Sequence, residues 1–508
     1  MEKGYQKSTD TNNTGNSIFN LVSKNIFILF FILWSVRFIN LGQPILDGAA
    51  LRQLMTASVS KFLFMEGISF ENILYPRFYA IEPAWYYMVE MPVYNTLMAL
   101  LCKVYGSHEE WIGRSVSILF SGLAGIYFYL FLINHTSDRI AKIALILYCI
   151  SPLSIIYTKA IQPNPSMLFF LMATIYYFDK YLTEPRAKTY CMTILFGAIL
   201  FVLNVSVLTI GLLLLCLAIR KYGARFFVDI KNYFMALCML IPCLLWIKHV
   251  NSFVSANLNN VKVMTGPIVE GRPTPVLSFH WLSDYSFYKA QFQLLSGEIL
   301  TPIGFGLFVL GLGLLRKKDS VLIFWLISFG IYFILINQMF HPYYYLPWLF
   351  PMSWAIAKSI SFIYDNFPPE SFFKKKIGLS FLTLLTVGII AGYSNSGFII
   401  PAAVKMVPDA IKTLNKFFPE NVYGVISPAH AGALEFYVYR DAGVLEGNSS
   451  QEKLDAFKKI LKNSEPKYYL SIYPHEDYAG KNEFSSFLRE NYPVAEYKEN
   501  EFVLYKIE

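Results

Sequence analysis

The chain has 508 residues, of which 55% are hydrophobic and 17% aromatic, and only 15% are charged. Soluble proteins carry about 25% charged residues, so the deficit excludes an ordinary soluble globular protein and points to a membrane protein. The net charge of +8 falls largely in short stretches between apolar runs, as topology control requires, and no basic stripe with interleaved aromatics calls for nucleic acid.

Residues 1–24 are polar, with Lys3, Lys7 and Lys24, and read as a cytoplasmic tail. A spanning helix needs roughly 20 apolar residues. Such runs occur at about 25–42, 112–134, 140–158, 166–182, 190–204, 206–220, 233–250, 299–315, 320–337, 343–360 and 377–394. The fold class is therefore an α-helical polytopic membrane protein of about 11 transmembrane helices, with residues 25–394 as the membrane domain. The first run has no small-residue cleavage site after it and reads as a retained helix. With the N-terminus in the cytoplasm, the inside connections hold Arg139 and Lys142, Arg186 and Lys188, Arg220 to Lys231, Arg316 to Lys318, and Lys374 to Lys376. A single helix over 190–220 would move the later basic clusters outside, so the positive-inside rule favours two short helices meeting at Asn204. The six cysteines lie in or beside apolar runs without a CxxC pair, which argues against a disulfide framework.

A long first outer loop, 43–111, interrupts the apolar pattern. Loops beyond about 12–15 residues are usually functional or disordered, and this one is too aromatic for disorder, with Tyr75, Phe78, Tyr79, Trp85, Tyr86 and Tyr87. It reads as the floor of a site on the membrane surface. Asp47 lies just past the first span and suits a general base; a helix N-cap is the competing reading. Glu90 in VEMPVY is a second acid, or a solvated loop carboxylate. Arg52, Arg77, Arg114 and Lys159 suit a phosphate, or they snorkel at the membrane edge. His341 stands beside three tyrosines in HPYYYLP, which suits a sugar or lipid contact, although tyrosine belts also form at interfaces without function. His280, Trp281 and Asp284 cluster weakly in the 251–298 loop. HExxH, Gly-rich phosphate loops and serine nucleophile elbows are missing.

Residues 395–508 change character: they are charged and carry no span. NVYGVIS and KYYLSIY read as strands, Pro428–Tyr439 as amphipathic, 451–463 and 482–491 as helices, and VAEYKEN with EFVLYKI as a terminal hairpin. Alternating strands and helices give a small α/β domain, placed in the periplasm.

These stretches together resemble the GT-C membrane glycosyltransferases of the protein-mannosyltransferase and aminoarabinose-transferase (lipid A) kind, in their bacterial form. The resemblance is carried by Asp47, Arg52-Gln53, Thr56-Ala57, Tyr75-Pro76, Glu90-Met91-Pro92-Val93-Tyr94, the Gly113-Arg114 pair, SPLSIIYTKAIQPNP and HPYYYLP, in that order. It covers roughly residues 25–360. The chain departs from it at Gly48, where many members are acidic, and at Lys159 and Asn164, where many have Arg followed by an acid. The resemblance implies transfer of a sugar, with inversion, from a polyprenyl-phosphate donor to a lipid, glycan or protein acceptor among the membrane lipids of the cytoplasmic (inner) membrane. It implies Asp47 and Glu90 as catalytic carboxylates and Arg52, Arg114 and Lys159 as donor-phosphate contacts. Tyr75, Arg77, His341 and Tyr344 are substrate contacts on the same reading. No cofactor is certain; if a divalent metal ion serves, Glu90 is where it is expected. Two other readings compete: a transporter or flippase for a lipid-linked glycan, and a non-catalytic membrane scaffold. A transporter should place polar residues near the midplane of broken helices, whereas these charges lie in loops and at span ends.

Overall fold

The computed structural model describes residues 26–43, 45, 50–78, 85–257, 262–264, 268–269, 272–273, 284–335, 341–366, 424–426, 442–444, 450–463, 466–472, 483–498 and 502–507. The first long apolar run forms α1 (Ile26–Ser35), extended by one 3-10 turn to Phe38. The first loop is then largely helical. It contains α2 (Ala50–Glu66), α3 (Phe70–Leu74), the short strand β1 (Trp85–Tyr87) and α4 (Val93–Tyr105). Gly106 ends α4 in the left-handed region, φ 98°, and its amide bonds the Cys102 carbonyl at 2.8 Å, a helix stop that glycine supplies without strain.

Ten helices of the bundle follow: α5 (Glu110–His135), α6 (Asp138–Ile150), α7 (Pro152–Tyr157), α8 (Asn164–Thr183), α9 (Ala187–Leu203), α10 (Gly211–Tyr222), α11 (Ile230–Asn257), α12 (Tyr285–Gln293), α13 (Thr301–Gly313) and α14 (Ser320–Leu335). A 3-10 segment, Pro342–Trp348, then leads into α15 (Leu349–Asn366). Among the described residues, three helical segments are long and apolar enough to cross a membrane, Glu110–His135, Val205–Phe227 and Ile230–Asn257, or four if the bent pair Tyr285–Ile299 and Thr301–Gly313 counts as one. This is a multi-pass membrane protein. The expected run at 377–394 lies outside the described residues.

The helices break at Asn204, as expected, and at Ser151, which was not expected, and each break has a local cause. The chain leaves the helix at Asn204, whose side chain accepts from the Ser206 amide at 3.0 Å, as the charge pattern required. The run 140–158 is not one helix. Pro152 forces Ser151 into extended backbone, φ −58° and ψ 130°, because proline clashes with a helical predecessor. Arg37 fills the break. It is fully buried, lies 3.5 Å over the Trp34 ring, and donates to Cys149 O (3.0 Å), Ser154 Oγ (2.7 Å) and Thr158 Oγ1 (2.8 Å). A carbonyl left over at a helix end thereby finds a donor where no water is available.

The bundle packs α5 on α8, α8 on α9, α9 on α11, and α15 on α6 and α13. Its centre is aromatic: the Phe350 ring lies 4.9 Å from Phe128 and 5.0 Å from Tyr148. Ion pairs Arg139–Asp365 and Lys358–Asp319 join the far ends of different elements, the His135 ring lies 3.0 Å from Asp179, and Lys142–Asp138 braces α6 from within.

Helix α11 is long for a span. Its 28 residues reach about 42 Å at 1.5 Å per residue, against about 30 Å of hydrocarbon. The surplus turns carry the first loop: Trp246, Val250 and Val254 pack with Met88, Leu74 and Tyr86. Beyond it, β2 (Lys262–Met264) pairs in parallel with β1, while β3 (Ile268–Val269) and β4 (Arg272–Pro273) form a small hairpin. The two long loops are thus joined by backbone hydrogen bonds.

The C-terminal segment is an α/β unit. Strands β5 (Gly424–Ile426), β6 (Ala442–Val444), β7 (Tyr468–Ile472), β8 (Val494–Lys498) and β9 (Phe502–Lys506) form one sheet in the order β6-β5-β7-β9-β8. β5 runs parallel to β6 and β7, and β8–β9 is the expected antiparallel hairpin. Helices α16 (Ser450–Asn463) and α17 (Glu483–Asn491) bury Phe457, Phe484 and Leu488 with Tyr469 and Tyr505 of the sheet. Strand β6 went unread in the sequence, and Pro428–Tyr439 lies outside the described residues.

Candidate active site

The first loop and the His341 turn meet around one ion pair. Arg52 on α2 donates from Nη2 to Glu90 Oε1 at 2.7 Å, and the Tyr87 hydroxyl donates to the same oxygen at 3.2 Å. The Glu90 side chain is 8% exposed and that of Arg52 20%. Burial alone would lower the Arg52 pKa. The Glu90 carboxylate and the bond to it outweigh that, so the guanidinium lies above its ordinary value and stays charged. Tyr343 and Tyr344 stand close enough to act on the same charge. Their rings are 4.6 Å apart, and the exposed His341 ring stacks on Tyr343 at 5.3 Å. The site is a buried cation–carboxylate pair beside an aromatic shelf.

Lys159 approaches from a different element. It sits in a non-helical, buried stretch between α7 and α8 and is 4% exposed. That stretch is tied to α2 by the Ile161 amide, which donates to Gln53 Oε1 at 2.9 Å, and to the aromatic turn by Asn164 Nδ2 and Tyr343 O at 3.5 Å. Ser117 Oγ holds the Ala160 carbonyl at 2.7 Å.

Other expected residues are placed differently. Arg114, a candidate phosphate contact, is fully buried and donates from Nη1 to the carbonyls of Leu41, at 2.9 Å, and Gln43. Those contacts fix the turn that leads to Asp47 and leave the guanidinium facing backbone. Tyr75 packs on His249 (5.0 Å) and Phe253 (5.3 Å), and Arg77 lies 4.8 Å over the Phe62 ring while its backbone bridges Tyr86. Both join the loop to its supports. Asp47, His280 and Trp281 lie outside the described residues; Asp284 caps α12, accepting from the Ser286 amide at 2.8 Å. Tyr87, Gln53 and Tyr343 were not singled out from the sequence as site residues. Only the Arg-Gln pairing and the run of tyrosines hinted at them.

Among the described residues, no three His, Cys, Asp or Glu side chains gather to hold a metal ion. Of the two Glu90 oxygens, Oε1 already takes a guanidinium and a phenol.

A helical membrane bundle whose long first loop folds back over a charged, aromatic-lined site defines a recognisable class. No curated protein matches the chain in sequence. Residues 89–247 match the family model described as dolichyl-phosphate-mannose-protein mannosyltransferase. The fold is similar to that of ArnT from Cupriavidus metallidurans bound to undecaprenyl phosphate, with a TM-score of 0.62 and 13% identity over 97% of this chain and 99% of that one. It is also similar to the Archaeoglobus fulgidus oligosaccharyltransferase in its apo form, with a TM-score of 0.55 and 12% identity over 94% of this chain and 73% of that one. The chain thus shares its fold with these two proteins, and a stretch within it, residues 89–247, matches the mannosyltransferase family model.

Proposed function

We propose that this protein transfers a sugar from a polyprenyl-phosphate donor to an acceptor at the outer face of the cytoplasmic membrane, with inversion. The N-terminus then lies in the cytoplasm and the α/β unit in the periplasm. The observation that carries this reading is the buried Arg52–Glu90 pair beside Tyr343 and Tyr344, on a fold shared with ArnT, which was solved with undecaprenyl phosphate. The acceptor oxygen attacks the anomeric carbon as the bond from that carbon to the phosphate oxygen breaks. The electron pair leaves with polyprenyl phosphate. Arg52 meets the developing charge; a guanidinium has five N–H donors and so can bond both Glu90 and a phosphate oxygen. Lys159 supplies a second cation from the stretch between α7 and α8. Glu90 holds Arg52 in place and charged. Asp47 takes the acceptor proton, or orients an acceptor that is already ionised. Arg114 sets the turn before Asp47, and His341 with Tyr344 supplies the face on which the sugar rests.

Charges kept at span ends and in loops favour this over a transporter, and a buried ion pair in the loop site favours it over a scaffold. The test is mass spectrometry of lipid A and envelope glycans from cells with and without the gene. A sugar-sized mass lost from lipid A identifies a lipid acceptor; a loss from a glycan or protein fraction identifies that acceptor. No loss in any fraction refutes the transferase.

A further inference from the structure

The stretch between α7 and α8 does not hold itself in place. Residues 158–162 form a turn and a run of bends buried in the bundle, so the polar groups that no local turn satisfies need partners supplied by other elements. Those partners are specific. Arg37 Nε donates to Thr158 Oγ1 at 2.8 Å, Ser121 Oγ to Thr158 O at 3.2 Å, and Ser117 Oγ to Ala160 O at 2.7 Å. All three come from spanning helices or their ends. The fourth does not: Ile161 N–H donates at 2.9 Å to Gln53 Oε1 on α2, a helix of the first loop. Gln53 and Ile161 are both fully buried. Gln53 is next in sequence to Arg52, which pairs with Glu90. On one turn of α2, one side chain therefore faces the ion pair while its neighbour grips the backbone two residues from Lys159.

We infer that Gln53 is a positioning residue: its amide oxygen fixes the spacing between Arg52 and Lys159, the two cations that face the donor phosphate from separate elements. This rests on the donor reading above. A phosphate bonded by two cations is sensitive to their separation, because misplacement of about 1 Å is enough to weaken such geometry greatly. Serine and arginine contacts hold the stretch to the bundle; Gln53 alone among these contacts relates it to the loop helix.

The test uses the full-length protein in nanodiscs, with undecaprenyl phosphate as the probe and hydrogen–deuterium exchange of the peptide spanning 158–164 as a ligand-independent readout. Gln53→Met keeps the volume and removes the acceptor. Expected is faster exchange in that peptide and undecaprenyl phosphate binding weakened about tenfold, the worth of one buried hydrogen bond. In a Lys159→Met background the same change should add little, since Gln53 acts through the placement of Lys159. Gln53→Glu keeps an acceptor oxygen and should retain protection and affinity, and it serves as the test if the Met variant fails to fold. Unchanged exchange in Gln53→Met, or lost protection in Gln53→Glu, overturns the inference whatever the protein binds. Independent, multiplicative losses in the double variant overturn the coupling. If Gln53→Met shows the faster exchange but wild type does not bind the probe, the donor reading fails while the contact stands.

Discussion

Removal of the Glu90 charge tests the centre of the site. Glu90→Gln keeps the shape and leaves an oxygen for the Tyr87 hydroxyl, but it strands the Arg52 guanidinium that Glu90 holds at 2.7 Å. Breaking a buried pair by removing one partner costs about 3–5 kcal/mol. Arg52 is 20% exposed, so water reaches the stranded charge and the cost should fall to about 2–3 kcal/mol. Arg52→Met should cost a similar amount, because it strands the carboxylate. The double variant strands neither charge, and its loss should be smaller than the sum of the singles by about 2 kcal/mol. The assay is reversible denaturation of the four proteins in detergent, followed by helical signal. The same variants separate binding from chemistry. Arg52→Met should lose its affinity for undecaprenyl phosphate, while Glu90→Gln, which loosens the hold on Arg52 without removing it, should weaken that affinity less. A coupling energy under about 0.5 kcal/mol, the limit within which independent sites add, would refute the reasoning that makes these two residues one unit.

Four other outcomes are expected. Asp47→Asn should reduce transfer by at least about 10²-fold, the lower bound for general base catalysis, with an unchanged elution profile in detergent; wild-type transfer would remove Asp47 from the mechanism. Arg114→Met should leave probe binding near wild type yet lower turnover, because its contacts are with the Leu41 and Gln43 carbonyls that precede Asp47; a loss confined to phosphate affinity would reverse that assignment. Gly311→Ala should destabilise the bundle by about 1–3 kcal/mol, since the added carbon runs into the Ala355 backbone oxygen, whereas Gly306→Ala meets nothing within 4 Å and should be tolerated; thermal denaturation separates the two. Burial and the nearby Lys61 push the His108 pKa from its ordinary 6.5 down to about 3. Between pH 6.5 and 3 the unfolded chain therefore binds a proton that the folded one refuses, and stability should fall as pH falls through that window. His108→Gln should flatten the acid limb of a stability–pH curve, and an unchanged limb would count against the buried neutral imidazole.

The tail hairpin and both of its helices were legible because their pairing is local, and the break at Asn204 was legible because loop charge constrains the path of the chain. The break at Ser151 was missed although Pro152 announces it; an apolar run reads as one span until the cost of an unpaired carbonyl is considered, and the donor that satisfies that carbonyl, Arg37, lies 112 residues away. The first loop was legible as a long polar interruption of the apolar pattern and not as a structure. Polar groups of its helices α2 and α4 are buried against each other, as where Asn95 Nδ2 donates to the Thr56 carbonyl at 2.7 Å, so they carry no clean surface pattern.

The sequence by itself determined that this is a multi-pass membrane protein and which stretches hold the charge. Those properties follow from composition and hydrophobic transfer, which act on each segment independently. It did not determine which of four basic residues meets an acid. Arg52, Arg77, Arg114 and Lys159 look alike in a list of loop and span-end cations. Only tertiary packing gave Arg52 to Glu90, Arg77 to the Phe62 ring and Arg114 to two carbonyls. Each partner is distant in sequence or on another element, and a buried charge is assigned by whichever partner the fold brings within hydrogen-bond reach.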